Sequence, residues 1–415
     1  MARMKNALYF QSGGVTAVIG ATAAALIEAH QRQGVGKLYA AENGLSGLID
    51  AHLVDASALP LVMREALSQI PGGGLGSGRT LLQPYEENPQ QWQRVHDVLV
   101  AYDIGTVYVN GGNGSMDTAA KLVALGQHFN LPLKVIGLPK TIDNDLESTD
   151  TSPGFGSALK YLSVSLMEAA RDHCAMATKP SVFILEVMGR HTGWLASCGA
   201  LARLPEQMAE PLILFPEVVF EPEHFIGAVQ ASFAKHNACV CVVSEGIRTA
   251  DGQFYAQQNA ATRYGHEQLG GAGLAVAALL REKLGVKVHV AVPDYLQRAA
   301  RHVASATDIA QAEAVAVHAV QLAGQGQSGV MVNIVRDSNT PYTWHCDAVP
   351  LADIANKERQ FPIDWIDQQA YGVKDEALEY LKPVIQGEPH QAWRDGLPDY
   401  PWVEWPSTKN LLKDS

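Results

Sequence analysis

Lys134-Val135-Ile136-Gly137-Leu138 runs directly into Pro139-Lys140-Thr141-Ile142-Asp143-Asn144-Asp145. A short apolar run that ends in a proline and a turn rich in carboxylates reads as the carboxyl end of a buried parallel strand. In open α/β sheets that edge is where ligands bind. Asp143, Asp145, Glu147 and Asp150 crowd the turn, and Lys140 is the basic residue beside them. On its own such a turn is a solvated acidic loop. The sharper alternative is a loop that holds a cation for a polyanionic ligand.

Two upstream stretches favour the sharper alternative. Asn6–Gln11 reads as a strand, Ser12-Gly13-Gly14 as a tight turn, and residues 17 to 33 as an Ala-rich helix. The design repeats with a strand at Ile104–Asn110, the turn Gly111-Gly112-Asn113-Gly114-Ser115, and a helix over 116–129 with Ser115 as N-cap and Asp117 in the first turn. A strand, glycines and a helix start bring backbone N–H groups and the helix dipole to one spot, which suits an anion. No Gly-Lys-Ser/Thr follows at P-loop spacing, and no G-x-G-x-x-G opens a helix here. The combination points to phosphoryl chemistry without a Walker motif. Gly20, inside the first predicted helix, costs roughly 1 kcal/mol against Ala.

The alternation continues. Strands near 37–42, 134–138 and 181–186 and helices near 90–101 and 157–174 complete a first series. Strands near 211–215, 239–244, 288–292 and 329–335, with helices near 222–235, 266–283 and 307–323, would build a second lobe. The expected class is α/β, as two doubly wound, mostly parallel lobes. A chain of 415 residues that is 47% hydrophobic can bury two such cores. The approximate boundaries expected are 1–175 for the first lobe, 176–340 for the second, and 341–415 for an irregular Trp- and Pro-rich extension packed on them. Exposed aromatics in that extension would instead favour an interface.

A formal net charge of −12 argues against nucleic acid or an anionic membrane surface as partner. Cys174, Cys198, Cys239, Cys241 and Cys346 lack zinc spacing, and Cys239 and Cys241 sit i, i+2 on one strand face, a poor disulfide geometry, so free thiols are expected. No apolar run reaches membrane-spanning length and no signal pattern precedes the first strand, so a soluble, cytoplasmic protein is expected.

The chain resembles the phosphofructokinase family. The likeness rests on Ser12-Gly13-Gly14, Gly76-Ser77-Gly78-Arg79, Gly111 to Ser115, Pro139 to Asp145, Glu186-Val187-Met188-Gly189-Arg190, Ser244-Glu245-Gly246 and Asp294-Tyr295-Leu296-Gln297-Arg298, in family order. Lys140, Pro153-Gly154-Phe155-Gly156-Ser157 and the Tyr295–Arg298 form look most like the bacterial pyrophosphate-dependent branch. Taken singly, Arg190 or Arg298 would be a surface ion-pair residue and Met188 a core residue; their joint order changes that.

The resemblance implies that 1–175 is the phosphoryl-donor lobe, to which later segments of the chain return, and that 176–340 is the sugar-phosphate lobe. It places the active site in the cleft between them, transferring a phosphoryl group to the 1-hydroxyl of fructose 6-phosphate. It makes Asp143 the base, with Thr141 and Arg79 completing the catalytic group. Thr141, Ile142, Asp143, Met188, Gly189, Arg190, Glu245, Tyr295, Leu296, Gln297 and Arg298 would bind the sugar phosphate. Gly13, Gly14, Gly112, Asn113, Gly114, Ser115 and Lys140 would bind the donor, and Asn113 and Asp145 would hold Mg²⁺. Here the chain departs from the family, which usually has a carboxylate at the position of Asn113, Gly114 or both. Asp at the Gly114 position repels a nucleotide's α-phosphate in pyrophosphate users, so Gly114 leans the expectation to ATP. Lys140 leans it to pyrophosphate, the alternative. A non-catalytic sugar-phosphate-binding subunit is the contrasting class, and the presence of Asp143, Arg79, Arg190 and Arg298 argues against it. A homodimer is implied, with a tetramer as the alternative.

Overall fold

A computed structural model describes residues 5–205, 208–256 and 270–412. Numbered in chain order with the shorter helices and the two-residue strands omitted, its strands are β1 (Asn6–Gln11), β2 (Leu38–Ala41), β3 (Leu53–Asp55), β4 (Ile104–Gly111), β5 (Lys134–Pro139), β6 (Ser181–Val187), β7 (Leu212–Leu214), β8 (Ala238–Ser244), β9 (Lys287–Ala291), β10 (Val330–Asn339) and β11 (Tyr342–Pro350). The helices are α1 (Ile19–Gln33), α2 (Pro89–Ala101), α3 (Asn113–His128), α4 (Phe155–Met176), α5 (Pro222–Phe233), α6 (Ala272–Leu284), α7 (Ala306–Gly324) and α8 (Asp375–Val384). The start expected for α6, at 266–269, lies outside the described residues.

The chain divides into two compact units. The first comprises Met1–Ser157, Arg298–Glu358 and Gly387–Ser415. Its sheet runs β11-β10-β5-β4-β1-β2-β3. The pairs from β10 to β2 are parallel, and β3 and β11 are antiparallel edges. β4 is buried along its whole length, which explains its near-continuous apolar sequence. Leu8, Phe10, Val107 and Val109 pack with Trp92, Val95 and Leu99 of α2 and Met116 and Leu122 of α3. On the opposite face Ala7, Tyr9, Tyr108 and Ile136 meet Leu26 and Ile27 of α1 and Val315 and Ala319 of α7. Helices therefore cover both faces, as in a doubly wound fold.

Register decides what meets at the sheet's carboxyl edge. Gln11 stands opposite Asn110, Asn110 opposite Leu138, and Gly111 opposite Pro139. The loops after β1, β4 and β5 thus start level with one another. β1 is followed by its neighbour on one side, β2, and β4 lies on its other side, so the two glycine loops flank the point where strand order reverses.

The second unit comprises Ala158–Gln297 and Arg359–Gln386. Its sheet runs β7-β8-β6-β9 with every pair parallel. Val182, Ile184, Cys239, Cys241 and Val243 pack on Phe225 and Val229 of α5 and Val276 and Leu280 of α6. Cys239 and Cys241 are free and buried, as the strand pattern requires. Trp194 is fully buried against Phe361, Trp365 and Tyr380, with the Arg359 guanidinium 4.5 Å from its ring.

Three local expectations are corrected. The strand and helix read from alternation at 329–335 and 307–323 as parts of the second lobe join the first sheet, the kind of return that the family resemblance implied: β10 pairs with β5, and α7 covers the same face as α1. Apolar periodicity identifies an element but not which sheet receives it. Residues beyond 341 are only partly irregular, since they include β11 and α8. The last stretch is tied to the β3 edge: Val54 bridges Ser407, Asp55 N donates to Pro406 O, and the Trp405 indole N–H donates to Gly74 O at 2.7 Å. Finally, α3 begins at Asn113 with Gly112 as N-cap, so Ser115 lies inside the first turn. Asp117 is outside that turn and pairs with Lys121 at 2.7 Å. The early start is possible because Gly111 lacks a side chain; a Cβ there would fall 2.1 Å from Ser115 Oγ.

Candidate active site

In the first unit, hydrogen bonds stitch the loops at the carboxyl edge together. Ser12 N donates to Asn110 O at 2.9 Å, Gly13 N to Gly78 O at 2.9 Å, and Lys140 N to Gly111 O at 3.1 Å. Ser77 Oγ donates to Gly13 O at 2.6 Å, so the segment carrying Arg79 is fastened to the first glycine loop. Gly13 has φ of 82°, a left-handed turn that favours glycine.

Lys140 crosses between these loops. Its side chain is buried and its ammonium donates to the carbonyl of Gly14. Burial pushes the Lys140 pKa down to about 8; Arg298 and Arg79 push the same way, while Asp143 and Asp145 resist. These five groups are therefore electrostatic neighbours. Arg298 lies against the first glycine loop: a Cβ built on Gly14 would stand 3.0 Å from its Nη1.

The acidic turn is internally braced. Asp143 N donates to Thr141 Oγ1 at 3.0 Å, and Thr141 Oγ1 lies 3.4 Å from Asp143 Oδ2. Asn144 is fully buried at φ of 51°, and its Oδ1 accepts from Ser152 N at 3.0 Å. Asn113 Nδ2 donates to Asp145 Oδ2 at 3.0 Å. The other oxygens of this pair, Asn113 Oδ1 and Asp145 Oδ1, are buried without a hydrogen-bond partner. Burial raises the Asp145 pKa, with Glu358 adding to it and hydrogen bonds from Thr141 and Asn113 opposing. Partnerless buried oxygens are uncommon, and two on hydrogen-bonded neighbours fit a hard, oxygen-liganded cation. Among the described residues no group of three or more His, Cys, Asp or Glu side chains could hold a metal, so a cation here would take its remaining ligands from substrate phosphates and water.

In the second unit the expected sugar residues gather at neighbouring strand ends. Met188-Gly189-Arg190 follows β6 and Glu245 follows β8, its neighbour in the sheet. Gly189 N donates to Glu245 Oε1 at 3.3 Å, and Ser244 Oγ donates to Gly189 O at 2.6 Å. Burial raises the Glu245 pKa against the opposing Gly189 N–H. Gln297 is buried and accepts from Met188 N at 3.1 Å, while Tyr295 and Leu296 are exposed. Arg298 is the residue at which the chain returns to the first unit.

Some supporting residues escaped the sequence reading. Asp308 is buried in the first turn of α7 and accepts from Gly154 N and Ser157 N, each at 2.9 Å, and from Ser157 Oγ at 2.5 Å. Gly154 in turn bridges Thr141. Burial pushes the Asp308 pKa up to about 6. The available signal was Ser305-x-x-Asp308, a helix-start pattern in which the Ser305 side chain accepts from Asp308 N. Glu217 accepts from Gly193 N at 2.8 Å and Phe361 N at 2.9 Å, bracing the segment after Arg190; no local pattern marks it.

Comparison with known proteins decides the family. A profile described as phosphofructokinase matches residues 6–323, well over half of the chain. The chain belongs to the phosphofructokinase family. It is therefore an enzyme, a phosphotransferase with an alcohol acceptor. Its similarity to individual phosphofructokinases extends further. A pyrophosphate–fructose 6-phosphate 1-phosphotransferase of Methylococcus capsulatus is 45% identical over 399 residues, covering 95% of each chain. One of Halomonas elongata is 46% identical over 396 residues, covering 95% of this chain and 94% of its own. The crystal structure of a pyrophosphate-dependent phosphofructokinase from Nitrosospira multiformis superimposes with a TM-score of 0.89 at 41% identity, covering 98% of both chains.

Proposed function

We propose that the protein transfers a phosphoryl group from pyrophosphate to the 1-hydroxyl of fructose 6-phosphate, giving fructose 1,6-bisphosphate and phosphate. The observation that carries the donor is the buried Lys140 ammonium on Gly14 O, between two glycine loops and beside Arg79 and Arg298. A compact cation in that position matches a compact, highly charged donor. Relatives named for pyrophosphate, similar over nearly the whole chain, support the same donor. The expectation of ATP, drawn from Gly114, is set aside on these grounds.

In this reading Asp143 takes the proton of the sugar's 1-hydroxyl, with its carboxylate oriented by Thr141. Arg79 and Lys140 offset the charge that spreads over the moving phosphoryl group. The N–H groups of Gly13, Gly14, Gly112, Asn113, Gly114 and Ser115 surround the donor. Asn113 and Asp145 would hold Mg²⁺, which when bound neutralises the donor's phosphate oxygens. Ile142 and Thr141 line the acceptor side. Met188, Gly189 and Arg190 hold the sugar, Glu245 takes its hydroxyls, and Tyr295, Leu296, Gln297 and Arg298 serve its phosphate end. Gln297 acts by fixing Met188.

No described helix is long and apolar enough to cross a membrane. A cytoplasmic homodimer acting where its sugar phosphate is made completes the proposal, with a tetramer as the alternative. Light scattering distinguishes the two assemblies.

The test is formation of fructose 1,6-bisphosphate from fructose 6-phosphate and Mg²⁺, with pyrophosphate and ATP supplied in parallel. Activity with pyrophosphate and little with ATP is expected. Activity with ATP alone overturns the donor, and activity with neither overturns the acceptor.

A further inference from the structure

The pyrophosphate reading leaves an unanswered physical question. Gly114, in the first turn of α3, has no side chain to bar a longer donor. The opposite wall supplies one. A Cβ built on Gly114 would stand 3.5 and 3.6 Å from the two methyl carbons of Leu81, ordinary contact distance, so the isobutyl group forms the wall of the space beside this glycine.

Leu81 is held there from both sides. Thr80 Oγ1 lies 2.7 Å from Ser46 Oγ. Leu82 is fully buried in the first core, Gln83 N donates to Gln91 Oε1 at 2.8 Å, and the Trp92 indole N–H donates to Gln83 O at 2.8 Å. Leu81 itself is 37% exposed, so its packing on Gly114 is not forced by burial in the core. It follows two residues after Arg79, on the segment fastened to the first glycine loop by Ser77.

We propose that Leu81 is the donor-selecting residue of this enzyme: its methyl groups over Gly114 end the anion pocket after two phosphates. The pocket's positive groups, Lys140, Arg79 and the open N-terminus of α3, whose N-cap Gly112 offers no side-chain acceptor, serve a pyrophosphate. A third phosphate or a ribose would have to lie against two methyl groups. Phosphate oxygens placed there lose water and gain no donor, which is unfavourable. Exclusion by an apolar wall thus replaces the exclusion by charge that an acidic residue at 114 would provide. This inference rests on the pyrophosphate reading and names the residue that enforces it.

The test compares the native enzyme with Leu81→Ala, Leu81→Gly and the volume-conserving Leu81→Met. kcat/KM is measured with Mg-pyrophosphate and Mg-ATP at fixed fructose 6-phosphate, and ATP binding is measured by calorimetry without the sugar. Shortening the side chain should raise the ATP-to-pyrophosphate ratio about tenfold or more, the scale of removing pocket methylenes. It should also tighten ATP binding, and Leu81→Met should keep the native ratio. If the native enzyme uses pyrophosphate and the ratio stays unmoved in Ala and Gly, with or without a fall in both rates, Leu81 is not the selector while the donor reading stands. If the native enzyme prefers ATP, both fall together.

Discussion

Asp143 and Lys140 sit three residues apart on one turn, yet their substitutions should behave differently. Asp143→Asn keeps shape and removes the proton acceptor, so kcat should fall about 100- to 10,000-fold while KM for fructose 6-phosphate changes little. A drop confined to KM would show that Asp143 only binds. Lys140→Met removes a cation that burial has already made costly. Because its pKa is lowered to about 8 from 10.5, the folded chain binds fewer protons than the unfolded chain between those values. Stability from this group therefore rises with pH across that window and is least at neutral pH. Lys140→Met should raise Tm near pH 7 and raise KM for pyrophosphate about tenfold or more. It should also abolish the decline in native kcat/KM for pyrophosphate as pH rises through about 8. A lower Tm would mean that the bond to Gly14 O outweighs the burial cost.

At the scale of elements, Gly20 sets two magnitudes against each other. Helix propensity says that Gly20→Ala gains roughly 1 kcal/mol within α1. The structure places the Leu67 carbonyl 2.2 Å from where that Cβ would be. Backbone yields less readily than a side-chain tip, and overpacking typically costs about 1–3 kcal/mol. The contact should win, so Gly20→Ala should lower Tm; a raised Tm would show that the short helix Leu61–Gln69, which carries Leu67, shifts freely. The same position shows where sequence reading stops. Strands, helices and glycine loops were legible because each is a local pattern: β1, β4 and β5 fall where alternation placed them, and Thr141 to Asp145 is one contiguous turn. Gly20 looked like a defect because its partner is a carbonyl on another helix. The wall that Leu81 forms beside Gly114 was not legible because Leu81 belongs to the segment before α2. Asp308 was missed because its partners, Gly154 and Ser157, lie far away in the chain.

For the whole molecule, the decisive feature is that each unit is assembled from separated stretches of chain. Local periodicity found α7 and β10 but could not reveal that they return to a sheet begun at residue 6. The return has a physical consequence. In a fragment of residues 1–297, β5 would lose its parallel neighbour β10. Leu26, Ile27 and Tyr9 would lose Val315, Ala319 and Val320, which cover the same face. β3 would lose its bridge to Ser407. An open β5 edge beside an uncovered apolar face favours association over folding. Yet the fragment contains every complete β-α repeat up to β9, so repeat content alone predicts that it folds. We expect instead that it is recovered aggregated, or shows no cooperative thermal transition by circular dichroism, whereas the full chain unfolds cooperatively. A cooperative transition in the fragment would mean that the first five parallel and antiparallel strands stabilise one another without the returning segments, and that α7, β10 and β11 are additions to a sheet already complete.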